Sequence, residues 1–365
     1  MKPHKNISLS GASANFGPGH TFMDDFDADP YSLEHDKNLY YPFHGKGEWY
    51  SGLSMAAINQ GLSLPALCKH IEMLPAGPQW KFKHVVPESP TKKSLQVFFH
   101  GAIECLKALM HSPMYAGHIK FIPKKIYATA DNLHCVYSEW LTGEHAWELQ
   151  DALLDGATLL GVIISSDKMH ITQVGNHQAH PLLISLANIA VNIFNKGTLN
   201  SFILLALIPL PKFVHMTKCL HVVLADWLLH QVISMVITLL KKAAELGCMT
   251  SDPLGNLKYC FTPLNAYITY TPEQHAITCV SSNASPVTMV TTKKFGDPLH
   301  LHSYFKACQK YQLNGVPCPF WVDWALAEPS SFLPLELLHH LHNMFWDDHD
   351  HDWCIRILEA NELDL

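Results

Sequence analysis

The rhythm of apolar positions changes about half-way along the chain. Leu159 to Ser166 reads LLGVIISS, a nearly unbroken β-branched run, and this predicts a strand buried on both faces. Ile171–Val174, Pro181–Ile189 and Ser201–Ile208 repeat the signal at short intervals, with Asn176 and Lys196-Gly197 supplying turn chemistry between them. Lys212 to Leu246 then carries a long, mostly helical pattern closed by Gly247. Its stripe of Val222, Val223, Leu229, Ile233 and Val236 is expected to pack across the sheet. Leu257–Phe261 and His275–Val280 read as two more short strands.

The first half is less periodic. Residues 1–39 are polar, rich in Gly, Asp and Ser, and are expected to form a mobile tail. Residues 40–150 are expected to be an α-rich N-terminal region, with a strand at Leu95–Phe99 and a helix at Ile103–Met110 that stops before Pro113. Three close strands, a helix and another strand predict an α/β class with a mixed sheet over residues 151–290, in the order of an incomplete RNase H-like core. Residues 291–365 read as a helical, His/Asp-rich C-terminal segment.

Two apolar stretches invite a membrane reading. Ser201–Pro211 is too short to span a bilayer as a helix. Leu220–Leu240 is long enough, but Asp226 lies near its middle with His221 and His230 close by, and an intramembrane carboxylate costs at least about 2.5 kcal/mol. A buried core helix is the expected outcome; a membrane protein built on residues 201–240 is the minor alternative.

Composition narrows the function. With 48% hydrophobic residues the chain has material for a core and falls outside the disordered class. A formal net charge of −7 argues against a nucleic-acid binder, which needs clustered Lys and Arg to meet phosphates. The ten cysteines occur singly, without a CxxC pair, so they spell neither a zinc ribbon nor a disulfide framework and fit a reducing compartment. No apolar signal region opens the chain.

Arginine is nearly absent: Arg356 stands alone against 25 histidines. Decay of methylated CpG converts arginine codons to those for Cys, Trp, His, Gln or stop, so the imbalance points to a relic of a repeated element. General lysine bias would explain few arginines but not so many histidines.

One residue looks chemical at first sight. Asp167 follows directly on the predicted buried strand, where a carboxylate at a strand mouth can hold a hard cation. An Asp in that position is more often a turn residue.

A set of ordered motifs raises its standing. Tyr40-Tyr41-Pro42-Phe43 with Glu48-Trp49, Leu74-Pro75 with Pro78 and Trp80, and Tyr137-Ser138-Glu139 come first. Ser165-Ser166-Asp167-Lys168 with Thr172, then Pro272-Glu273-Gln274, and finally Leu338-His339, Leu341-His342 and Trp353-Cys354 follow. From Tyr40 to Cys354 this order resembles the Plavaka-type transposases of the Kyakuja–Dileera–Zisupton group, cut-and-paste elements of mushroom-forming fungi. The resemblance implies a DDE enzyme with an RNase H-like fold, an acidic trio holding two Mg²⁺ ions, and transposon DNA ends as partner.

The departures from that family pattern imply lost chemistry. Asp167 matches the first acid, whereas the second position reads Tyr270, and phenols ordinarily ionise only near pH 10. A third acid is not found before Leu365, so the copy is expected to be truncated. The family's CPxC knuckle reads Ser285-Pro286-Val287-Thr288 and offers no thiolate for zinc. Its PDILH segment aligns with Leu335-Glu336-Leu337-Leu338-His339, keeping one acid.

The segment His339–Trp353 is dense in imidazole and carboxylate; His339, His342, Asp348 and His349 are opportunistic candidates for a transition metal. A solvated acidic tail explains it better.

The resulting expectation is a degenerate transposase relic with no cleavage or strand transfer, no cofactor beyond the ancestral Mg²⁺, no small-molecule substrate, and binding to transposon ends lost. A domesticated binding protein on the same fold is the alternative. Intracellular residence is expected, nuclear if ancestral behaviour persists.

Overall fold

A computed structural model describes residues 5–28, 32–35, 37–41, 69, 73–128, 134–172, 178–196, 201–214, 217–280, 316 and 318–333. Its centre is a six-stranded mixed sheet. The strands are β1 (Trp80–Val85), β2 (Leu95–His100), β3 (Val162–Ser166), β4 (Pro181–Leu186), β5 (Ile203–Leu207) and β6 (Leu264–Ile268), in spatial order β6-β3-β4-β5-β2-β1. Only the β6–β3 pair is parallel; every other neighbour is antiparallel. The chain is thus a mixed α/β protein.

Helices α1 (Ala102–His111), α2 (Glu144–Asp151), α3 (Lys218–Leu246) and α4 (Thr271–Thr278) accompany the sheet. The core joins Leu106, Met110, Ile164, Ile184, Val232, Ile233, Ile237 and Tyr267, all essentially without solvent exposure. Helix α3 starts where the Thr217 hydroxyl accepts the Leu220 N–H, and it ends at Gly247, whose φ of 73° suits glycine. Leu228, Leu229, Val232, Ile233, Val236, Ile237 and Leu240 form its buried stripe. Each such side chain is worth about 1.5–3 kcal/mol, an upper bound set by the unfolded reference. Val222, expected in this stripe, is 53% exposed instead; the buried positions of the helix begin at Leu224.

Helix α3 includes a stretch, Leu220–Leu246, long and apolar enough to cross a bilayer, with mean hydropathy 1.8. Its stripe is spent on the core, and Ile203–Leu207 is an interior strand between β4 and β2. The core-helix expectation is the one that this packing matches.

Several details depart from the sequence reading. The apolar run 159–166 is cut in two: Thr158–Leu159 pairs with Leu257–Phe261 in a separate three-stranded sheet, while β3 belongs to the large one. The break falls at Gly161, whose N–H meets Asn188 Oδ1 at 3.0 Å and where a Cβ would come within 2.5 Å of the Trp140 ring. In place of a strand at Ile171–Val174 there is a two-residue ladder, Met169–His170 with Gln178–Ala179; residues 173 and 174 lie outside the described residues. The stretch read as strand His275–Val280 falls mostly within helix α4, because Pro272 and Glu273 occupy its first turn and favour helix there.

Finally, residues 5–28 are docked where a mobile tail was expected. Lys5–Ser8 pairs with Lys124–Tyr127, and Phe26 is fully buried in a helix, Phe22–Asp27, that a Thr21/Asp24 capping box opens. Strands β1 and β2, assigned to an α-rich N-terminal region, complete the same sheet as β3–β6. The C-terminal segment is described only at 316 and 318–333, where Trp321 donates its indole N–H to Ile277 O at 2.8 Å.

Candidate functional site

Topology brings the candidate residues together. Since β3 and β6 run parallel and adjacent, their carboxyl ends emerge on one edge, delivering Ser166-Asp167 from one strand and Tyr270 from the other. Antiparallel β4 starts at the same edge, so His180 sits beside Ser166, whose register partner is Leu182. Helix α4 begins directly after Tyr270 and places Glu273 in its first turn.

These groups form a buried network. Ser166 Oγ donates to Glu273 Oε1, and Tyr267 OH lies 2.7 Å from Ser166 Oγ, positioned to donate to it. His180 Nε2 donates to the same Glu273 oxygen at 2.9 Å. Burial by itself would raise the Glu273 carboxyl; the His180 hydrogen bond and charge, the Ser166 hydroxyl and nearby Lys168 outweigh it and hold the group below its ordinary value. Burial, then the charge of Glu273, pushes the Tyr267 phenol well above the ordinary range despite the Ser166 bond.

Beside this network opens a cleft of about 390 Å³, walled by the β3 and β6 ends, by 208–211 and by the Ala225-Asp226-Leu229 face of α3. Asp167 is half-buried in its wall, as its position after a central strand leads one to expect, and Tyr270, 44% exposed, lines it from the neighbouring strand end. Three carboxylates therefore line the cleft: Asp167, Asp226 and Glu273.

Sequence reasoning had counted one. Asp226 had served only as an argument against a membrane span, and Glu273 only as a motif residue. The available signals were the strand-end motif at Ser166 and the i, i+3 spacing of Asp226 and Leu229 on one helix face.

The donor set does not suit a pair of divalent ions, which need carboxylates bridging sites about 3.5–4 Å apart. Glu273 already accepts two hydrogen bonds, the neighbouring strand end offers a phenol, and among the described residues no three His, Cys, Asp or Glu side chains are placed around one ion. His339, His342, Asp348 and His349, like Ser285–Thr288 and Arg356, lie outside the described residues.

A family model described as Plavaka transposase matches residues 63–354. The chain belongs to the Plavaka transposase family. The matched span contains the Asp167 and Tyr270 strand ends, the network and the whole cleft, and it begins after the Tyr40–Trp49 motif. No curated protein matches the chain. Within the Plavaka span the Tyr137-Ser138-Glu139 motif holds two loops together. Its Glu139 Oε2 accepts the Val191 N–H at 3.0 Å, tying the turn after β4 to the loop before α2.

Proposed function

We infer that this member of the Plavaka family is a transposase-derived protein whose cleft neither cuts nor joins DNA. The observation that carries the reading is the pairing of Asp167 with Tyr270 across two adjacent parallel strand ends. A carboxylate with a phenol at the neighbouring strand end cannot share two cations as two carboxylates do. Support for an RNase H-like core comes from the order β5-β4-β3-β6, with two antiparallel neighbours and one parallel, and from α3 crossing between β5 and β6.

Binding to transposon ends is taken to be lost as well. The fixed charges sum to −7, and phosphate contacts scale with clustered cations. The test is incubation of the purified chain with duplex and nicked DNA in Mg²⁺ and in Mn²⁺. No cleavage is expected, and Tyr270→Asp alone should not restore it, because Glu273 stays committed to Ser166 and His180. Metal-dependent cleavage abolished by Asp167→Ala or Asp226→Asn would overturn the reading.

A second reading, a fold retained for binding, is favoured by the matched polar groups deep in the core, such as His230, Thr262 and Asn188. Measured selection on the coding sequence separates the two: neutral drift supports a relic, and constraint supports a co-opted protein.

A further inference from the structure

We propose that Cys248 and Cys260 form a reversible disulfide, closed by a low-molecular-weight disulfide such as oxidised glutathione. The two residues are register partners in the antiparallel ladder of Cys248–Ser251 with Leu257–Phe261. Both are free thiols. Among the described residues no other two cysteines are opposed across a ladder.

The pairing permits the bond and sets its character. Directly opposed residues of an antiparallel pair hold their Cα atoms about 4.5–5.5 Å apart, within the roughly 4.4–6.8 Å that a disulfide bridges. Their Cβ atoms stand about 1 Å wider than the disulfide optimum. Closure therefore draws the two strands together locally and stores strain. Strained disulfides are the readily reduced ones, so this pair suits a redox-responsive link and not a permanent staple.

Unequal access orders the steps. Cys248 is half-buried, whereas Cys260 has no solvent exposure. The Cys248 thiolate attacks one sulfur of the oxidant, forming a mixed disulfide and releasing one glutathione thiolate. Cys260 then attacks Cys248 Sγ and expels the second glutathione. The protein gives up two electrons and two thiol protons, and the oxidant becomes two thiols that take them. Only Cys248 has to meet solvent, so the burial of Cys260 is no obstacle.

The surroundings set the rate. Burial raises the Cys248 thiol above its ordinary value, with the Lys107 charge opposing. Burial, then the charge of Cys248, pushes Cys260 well above the ordinary range. Reaction is accordingly slow near neutrality and accelerates as thiolate forms. Cys105 on α1 packs into the same core, but it is closed to solvent and burial pushes its thiol up to about 12.

The bond would tie two remote parts of the chain. Cys248 follows Gly247 at the end of α3, and Tyr259 already donates its hydroxyl to Leu246 O. The N-terminal arm rests on the same hairpin, with Phe16 N donating to Leu257 O at 2.9 Å and Gly19 N to Gly255 O at 2.7 Å. Closure thus fastens the end of the long helix to the strand that carries the arm.

Incubation of the full chain with oxidised glutathione at about pH 7.5 and about pH 8.5, followed by non-reducing peptide mapping, tests this. A Cys248–Cys260 crosslink is expected, formed roughly tenfold faster at the higher pH. It should reopen within minutes in about 5 mM reduced glutathione. Exposed Cys135 and Cys318 report, through their own mixed disulfides, that the oxidant has acted. Cys248→Ser should abolish the crosslink and leave Cys260 unmodified, while Cys105→Ala should leave it in place. Lys107→Gln should slow closure by about threefold. Circular dichroism of each variant reports the fold. The proposal is overturned by no crosslink at the higher pH, by glutathionylation of Cys248 that never resolves, or by a crosslink to Cys105 instead. A link that forms only in urea-unfolded chain, or that persists in reduced glutathione, overturns it equally.

Discussion

Two buried histidines, His180 at the start of β4 and His230 on helix α3, have opposite surroundings. At the strand ends, His180 is 4% exposed and donates to a carboxylate, Glu273, that is held ionised. On the helix itself, His230 is 1% exposed and meets only neutral partners. Its Nε2 donates to Ala276 O at 2.9 Å and lies 3.3 Å from Cys279 Sγ, while its Nδ1 accepts the Phe320 N–H at 3.1 Å. Burial drives the His230 pKa down to about 4, with the Ala276 carbonyl opposing weakly. Equal burial thus produces one imidazole hydrogen-bonded to a carboxylate and another held neutral among uncharged partners. The partner rather than the burial distinguishes the two.

The largest expected effect breaks the His180 side. Glu273→Leu leaves His180 and Ser166 without their acceptor, and removing one member of a buried pair costs about 3–5 kcal/mol, read as a drop in the denaturant midpoint. Glu273→Gln, which keeps an acceptor oxygen, should recover about half of that loss.

The His230 side gives a pH signature. The folded protein keeps this ring neutral to about pH 4, whereas the unfolded chain protonates it near 6.5. Between those values the unfolded state binds more protons, so stability falls as pH drops through the window and levels off below it, by about 3 kcal/mol in all. Urea unfolding from pH 7 to 4 measures the slope. His230→Gln should cost about 1–2 kcal/mol at pH 7 while flattening that slope; an unchanged slope would assign the acid sensitivity to other histidines.

Smaller effects lie at the margins of the cleft. Gly161→Ala forces a methyl against the Trp140 ring and should cost about 1–3 kcal/mol of stability. Asp167→Ala should change stability by no more than about 0.5 kcal/mol, because the side chain is only half-buried in the cleft wall.

What could be read in advance was what repeats locally. The β-branched runs of β3, β4 and β5 and the stripe of α3 announce themselves by period, and Asp167 by following one of them. The Gly161 break did not, since the ring that fills its space comes from Trp140, in the loop before α2. Nor did the docking of Lys5–Ser8, a fully exposed strand whose partner at Lys124–Tyr127 is remote and equally polar. The Glu273–His180 pair spans 93 residues and exists only because β4 and β6 flank β3. Helix α4 was misread although Pro272 and Glu273 carried its start signal; a short apolar run after them outweighed it.

The parallel pairing of β3 with β6 has a consequence for how this chain comes off the ribosome. Synthesis reaches Ser166 about a hundred residues before it reaches Leu264, so the middle strand waits with one backbone edge unpaired. Such non-local closure is slow, and a waiting apolar edge is a template for intermolecular pairing. A copy interrupted by a premature stop anywhere between those two strands would therefore leave that edge permanently open, and it should accumulate as insoluble aggregate instead of a smaller folded protein.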